Sequence, residues 1–368
     1  MNVHVAGGGP AGLFFAVLAR RLKAEVTVFE MRPRAHTFGW GIAFSQGTID
    51  TLRAGDPETA ERVLRRAQTW HSLDIVHRRS KVSLAGQTYH GLSRVALLEE
   101  LYARCEELGV RLRFEEAWEP REAELVVGAD GLNSAVRKRF EKAFGPTLTP
   151  KPNYHIWYGT RAPFTGVTLT YREHEAGVFV AHSYPMDGVT QTFVVDCDAR
   201  TFQRAGFSGL SDEATRALLE DVFREDLGRK RLLSKESKWI HFRQVRNRRW
   251  VHGNAVLLGD AAHNVHFSAG AGTSLAFQDA LALYRALSSA GSVPEGLAFY
   301  EEARKPVMDD LQDKSEAHRS RLEEAKSTLG LEPLDFAAAL VAGPDPAARA
   351  EVRRLVTVSD LRRPAKPG

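Results

Sequence analysis

Gly7, Gly9 and Gly12 stand as G-x-G-x-x-G within Gly7-Gly8-Gly9-Pro10-Ala11-Gly12. That spacing suits a dinucleotide. The first glycine makes a tight turn, the second lets backbone N–H groups approach a pyrophosphate, and the third lets a helix lie close to a strand. A helix opening at Pro10 and Ala11 would present the positive end of its dipole to the phosphates. Glu30, at the end of the next apolar run, is a carboxylate placed to accept hydrogen bonds from a ribose diol. Arg32 follows closely enough to reach an adenosine phosphate.

Two further turns repeat the theme. Val127-Gly128-Ala129-Asp130-Gly131 and Leu258-Gly259-Asp260-Ala261-Ala262-His263 each end a short apolar run of the kind buried on both faces of a parallel sheet. Parallel sheets bind ligands at the carboxyl ends of their strands, so all three turns can converge on one elongated molecule.

The elements that must position these residues are legible around them. Val3 to Ala6, Ala11 to about Leu22 and Glu25 to Glu30 read as strand, helix and strand, a βαβ unit. From Tyr154 to about Asp196, runs rich in Val, Thr, Phe and Tyr are separated by glycines and read as antiparallel hairpins. Helices are expected from Ser211 to about Leu227, with Ser211 as N-cap, from Thr273 to Ser289, and from Pro294 to about Ser327. Shorter helices broken by Pro333 and Pro344 precede a frayed tail. The expected fold class is α/β with an α+β insert. Residues 1–70, 94–150 and 250–330 form a discontinuous nucleotide domain; 71–93 and 151–249 form a substrate domain with an antiparallel sheet; 331–368 form C-terminal helices and tail.

The 368 residues are 43% hydrophobic and 26% charged, with a formal net charge of +4. This excludes disorder and a disulfide miniprotein, and the modest charge argues against a nucleic-acid partner. No run approaches about 20 apolar residues, so no membrane span is expected. The two cysteines, Cys105 and Cys197, form no secreted framework, which points to a reducing cytoplasm. The 13 histidines form no H-E-x-x-H site and no metal is expected; G-x-S-x-G is absent.

Together the three turns resemble those of the flavoprotein aromatic hydroxylases of the p-hydroxybenzoate hydroxylase fold. The resemblance implies a Rossmann-like FAD-binding domain, FAD as cofactor and NAD(P)H as co-substrate without a domain of its own. It also implies hydroxylation of a small aromatic substrate with O2 through a flavin C4a-hydroperoxide. It places Asp130 near the pyrophosphate and the NAD(P)H path, Asp260 on the ribityl chain, and Arg94, in Ser93-Arg94-Val95-Ala96-Leu97-Leu98, beside the cofactor. Gly270, Ala271, Gly272 and Thr273 would turn free amides toward the flavin pyrimidine edge, with an N-cap by Thr273 as the alternative.

Gly39-Trp40-Gly41, Ile156-Trp157-Tyr158-Gly159-Thr160, Ala181-His182-Ser183-Tyr184 and His266-Phe267-Ser268-Ala269-Gly270 resemble a subgroup that hydroxylates aryl-CoA thioesters or an indole ring. The favoured substrate is a hydroxy- or aminobenzoyl-CoA; an indole or other aromatic metabolite is the alternative, and an FAD-binding protein without oxygenase activity the second. On this resemblance His266, Tyr158 and His182 are catalytic candidates, with Trp40, Trp157 and Phe267 as pocket candidates. Either a monomer or a homodimer is compatible.

Overall fold

The computed structural model describes the chain apart from residues 35, 37, 38, 267–269, 325–327, 344 and 361–368, and apart from the side chains of residues 317–324 and 360. Two sheets organise it. In the first, Asn2–Ala6 lies centrally, in parallel register with Glu25–Glu30 on one side and Leu125–Gly128 on the other. Arg111–Phe114 extends one edge and Ala255–Leu257 the other, where Val251–His252 adds an antiparallel strand. Helix Pro10–Ala19 packs on this sheet and is buried from Ala11 to Ala19. A helix apolar all round needs cover on every side. Helix Gly272–Ser289 supplies part of that cover, with the Phe14 and Phe277 rings meeting edge to face at 5.3 Å.

The second sheet is largely antiparallel through Pro146–Thr160, Val167–His174, Gly177–Pro185 and Gln191–Cys197, the region read as hairpins. It is also wider than expected. Gly41–Ser45, placed by sequence in the first domain, pairs with Ser93 back to Tyr89 in this sheet. Gln68–His77 joins it by a parallel pairing with Val167–His174. Val356–Asp360, read as tail, pairs with Leu84 to Ser80. These pairings link residues far apart in the chain, and no local pattern marks them.

Strand alternation gives the second sheet two distinct faces. On one, Ile156, Tyr158, Phe193 and Phe223 form a core beneath the helices of residues 199–227. On the other, Ile75, Val82, Tyr171 and Phe336 form a core beneath helix Pro333–Ala342. Both cysteines are buried and free. No helix among the described residues is long and apolar enough to cross a membrane.

Candidate active site

The first glycine turn is built as its spacing requires. Gly7 has φ +102°, and a Cβ there would lie 2.4 Å from the Ala129 carbonyl oxygen. At Gly12 a Cβ would lie 2.3 Å from the Gly7 carbonyl oxygen and 2.9 Å from Val5. Both distances are far inside contact, so these positions exclude larger residues for packing reasons. Gly9 differs: nothing lies within 4 Å of its missing Cβ. The space in front of Gly9, at the opening of helix Pro10–Ala19, is where a phosphate can approach the amides. Glu30 turns one carboxylate oxygen to the Gly8 amide (2.8 Å) and the other to the Arg32 amide (3.0 Å). Each oxygen keeps a lone pair for a sugar hydroxyl. Arg32 therefore sits beside Glu30 and the turn.

The second and third turns are tied to each other and to the first. Gly7 abuts Ala129 and Asp130. One Asp130 oxygen accepts from the Ala135 (2.6 Å) and Val136 (3.2 Å) amides, while its other oxygen is buried without a partner. Burial raises its carboxyl above the ordinary value, against the hydrogen bonds it accepts. Arg137 is buried and donates to the carbonyls of Ala261 (2.9 Å) and Leu132, clamping the second turn to the third. Asp260 is exposed to solvent, yet the protein around it raises its carboxyl by desolvation. Its solvent-facing carboxylate marks the open side of the third turn, the cleft beside the three turns.

Behind this turn stands an unforeseen cluster. Fully buried Asp279 accepts from the Gly259 amide (3.0 Å), His263 Nε2 (2.7 Å) and Arg304 Nε (2.7 Å). Burial pushes its carboxyl up, but His263 and Arg304 outweigh that and hold it below the ordinary value. His263 thus stands behind the turn, its ring stacked on Trp250 at 4.9 Å. Helix Gly272–Ser289 begins with no side-chain cap, so Thr273 does not serve as one. Gly270 and Gly272 are exposed, with nothing within 4 Å of a Cβ at either. Ala271 lies between them as the residue preceding the helix.

Arg94 links this cleft to the second sheet. Its amide donates to the Trp40 carbonyl (3.0 Å), and its guanidinium lies 5.6 Å from the Trp157 ring centroid. Its Nε is buried without a partner, and its charge acts on Asp260. Trp157, Val194 and His182 are cross-strand neighbours on one sheet face. Trp40 packs where Gly159 leaves room: a Cβ there would lie 2.7 Å from its ring.

Tyr158 is a correction. One residue from Trp157, it points through the opposite face, is fully buried, and donates its hydroxyl to Asp212 (3.0 Å). It packs the second core and does not meet the cleft. His266 is buried, its ring edge-on to Phe242 at 5.0 Å. Phe267, like Pro344, at which a helix break is expected from the sequence, lies outside the described residues. Missed by sequence reasoning were Arg137, Asp279, Arg304 and Tyr102, whose hydroxyl donates to the Gly8 carbonyl (3.2 Å). Arg137 ends the second motif and was legible there; the other three come from distant helices.

The residues fit a flavin dinucleotide: open space before Gly9, unpartnered polar atoms on Asp130 and Arg94, and an uncapped helix start all border the three turns. Comparison with known proteins agrees. The FAD binding domain family matches residues 121–315, and the NAD(P)-binding Rossmann-like domain family matches residues 5–53. The chain belongs to the FAD-dependent aromatic monooxygenases of the p-hydroxybenzoate hydroxylase fold.

Within that family it is 39% identical over 328 residues to a salicyloyl-CoA 5-hydroxylase of a Streptomyces species, covering 85% of this chain and 63% of that protein. The chain thus spans less than two thirds of that relative's length. A 3-hydroxy-4-methyl-anthranilyl-(aryl-carrier protein) 5-monooxygenase of Streptosporangium sibiricum is 34% identical over 316 residues, 85% of this chain and 86% of that protein. The tetrameric form of 2-methyl-3-hydroxypyridine-5-carboxylic acid oxygenase shares the fold, with a TM-score of 0.76 at 20% identity, over 92% of this chain and 96% of that one.

Proposed function

We propose that this protein hydroxylates an aromatic ring carried as a thioester, a hydroxy- or aminobenzoyl-CoA or the same ring on a carrier protein, using FAD, NAD(P)H and O2. The observation that carries this reading is Arg94, whose guanidinium faces Trp157 while its charge acts on Asp260. It joins the aromatic face of the second sheet to the turns suited to the cofactor. The relatives supply the thioester: one is named for salicyloyl-CoA, the other for an anthranilyl group on an aryl-carrier protein.

Bound FAD, once reduced by NAD(P)H, supplies the activated oxygen for transfer to a ring carbon. The chain's own residues do the rest. Gly9 and the start of helix Pro10–Ala19 hold the pyrophosphate, Glu30 holds the adenosine ribose, and Asp260 holds the polyol. The uncapped amides at Gly272 and Thr273 stabilise negative charge on the reduced cofactor. Trp157 orients the substrate ring by its face. His182, half-buried beside Val194 and Trp157, takes the proton of a phenol or aniline as the ring is attacked.

Substrate-stimulated NAD(P)H oxidation and product mass test this reading. Salicyloyl-CoA and 2-aminobenzoyl-CoA are compared with free salicylate and indoles. Stimulation and a one-oxygen mass gain with the thioesters are expected; stimulation confined to free acids or indoles overturns the thioester reading.

A further inference from the structure

Residues 229–238 carry five cations, Arg229, Lys230, Arg231, Lys235 and Lys238, against the single acid Glu236. All five are exposed. Among the described residues only Arg231 has a carboxylate partner, Glu220. The segment runs along the edge of the second sheet, where Leu232 and Leu233 pair with Thr160 and Gly159. It then reaches the aromatic face: the Lys235 ammonium lies 4.3 Å from the Trp40 ring centroid, and Ser237 donates to the Trp157 carbonyl.

At the other end, Gly228 lines a cavity of about 500 Å³ that also carries Arg79, Lys81 and Arg224 together with the acids Glu225 and Asp226, the latter paired with Arg172. Asp74 and Thr170 line it too. Both are buried, and the Asp74 Oδ1 and Thr170 hydroxyl have no partner. Lys81 takes the other Asp74 oxygen at 3.2 Å. In register, Thr170 and Asp74 belong to the face of Ile156 and Tyr158, so this cavity is separate from the ring site.

Lysines on an edge strand can serve only to keep other strands away. That explains neither a cation over Trp40 nor a cavity with an acceptor and a hydroxyl left open at its wall. A polyanion with a long neutral arm and a base bearing an amino group matches all of these features. We propose that residues 229–238 and the adjoining cavity hold the nucleotide end of a CoA thioester. Its phosphates lie against the unpaired lysines and arginines, where charge-assisted hydrogen bonds are strong. Its adenine amino group donates to Asp74 Oδ1, and its arm passes Lys235 to set the ring against Trp157. This rests on the thioester reading above and chooses CoA over a carrier protein.

Calorimetric binding of CoA and 3′-dephospho-CoA to the FAD-loaded protein, at low and high salt, tests it. CoA is expected to bind more tightly than its dephospho form and to weaken as salt rises. The double variant Lys235→Glu, Lys238→Glu should weaken CoA binding about tenfold or more, while Lys235→Arg with Lys238→Arg restores it. Flavin content and melting temperature identify any variant that misfolds, and the arginine pair then carries the test through its salt dependence. Unchanged CoA affinity in the glutamate variant, equal affinity for the two nucleotides, or turnover of a carrier-bound ring without CoA binding overturns the proposal. Failure of the thioester reading is a different result: no thioester then stimulates NAD(P)H oxidation, whatever CoA does.

Discussion

Gly9 and Gly12 belong to one motif but answer to different physics. Gly12 is closed in by Gly7 and Val5, whereas Gly9 has open space where a side chain would go. Gly9→Val should therefore fold, purify without flavin and melt close to the wild-type protein stripped of its flavin. Visible absorbance of the purified protein reports the outcome, and retained flavin would refute the pyrophosphate role of this turn. A second expectation concerns His182, on the Trp157 face of its strand. His182→Asn should lower kcat about 10²-fold, the low end for a lost general base, while leaving flavin content unchanged. The matching change Tyr158→Phe should leave turnover intact and cost stability only, because its hydroxyl serves Asp212.

Between elements, the third turn is held from behind. Asp279 on helix Gly272–Ser289 and Arg304 on helix Val293–Glu324 brace Gly259 and His263. Asp279→Asn leaves Arg304 without its buried counter-charge and should cost roughly 3–5 kcal/mol, the range for breaking a buried pair from one side. Urea unfolding measures it. Helix Pro333–Ala342 plays a comparable part for the second sheet. Fully buried Phe336 stacks on His77 at 4.3 Å and meets Tyr171 edge-on at 4.9 Å, so a helix late in the chain closes a face built by much earlier strands.

For the whole molecule, pH is the informative variable. His4, His77, His90 and His155 are all buried, and burial lowers the pKa of each. His155 is taken furthest, to about 3, by burial and then by the neighbouring His182 and His241. The unfolded chain binds these protons near pH 6.5 and the folded chain does not, so stability falls as pH drops below 6.5. For His155 the loss continues to about pH 3 at a slope approaching 1.4 kcal/mol per pH unit. His155→Gln should flatten the decline between those limits in urea melts taken at stepped pH. An unchanged slope would show that this histidine is already protonated in the native state.

Local chemistry was readable because it lies in consecutive residues. Three strand-to-turn motifs, the glycines within them and Glu30 at the next strand end specify a dinucleotide site without long-range knowledge, since each works through its own backbone. Antiparallel hairpins between Tyr154 and Asp196 were legible for the same reason: alternation and turn residues act over a few positions. What only the tertiary structure decided depends on register and distance. Adjacent Trp157 and Tyr158 look equally placed in sequence, but the pairing of Trp157 with Val194 and His182 decides which one meets Arg94. Gly41–Ser45 and Val356–Asp360 joined the second sheet through partners remote in the chain. Asp279 became the anchor of Gly259 because two helices fold back over that turn, and a contact between distant segments leaves no periodic trace in either.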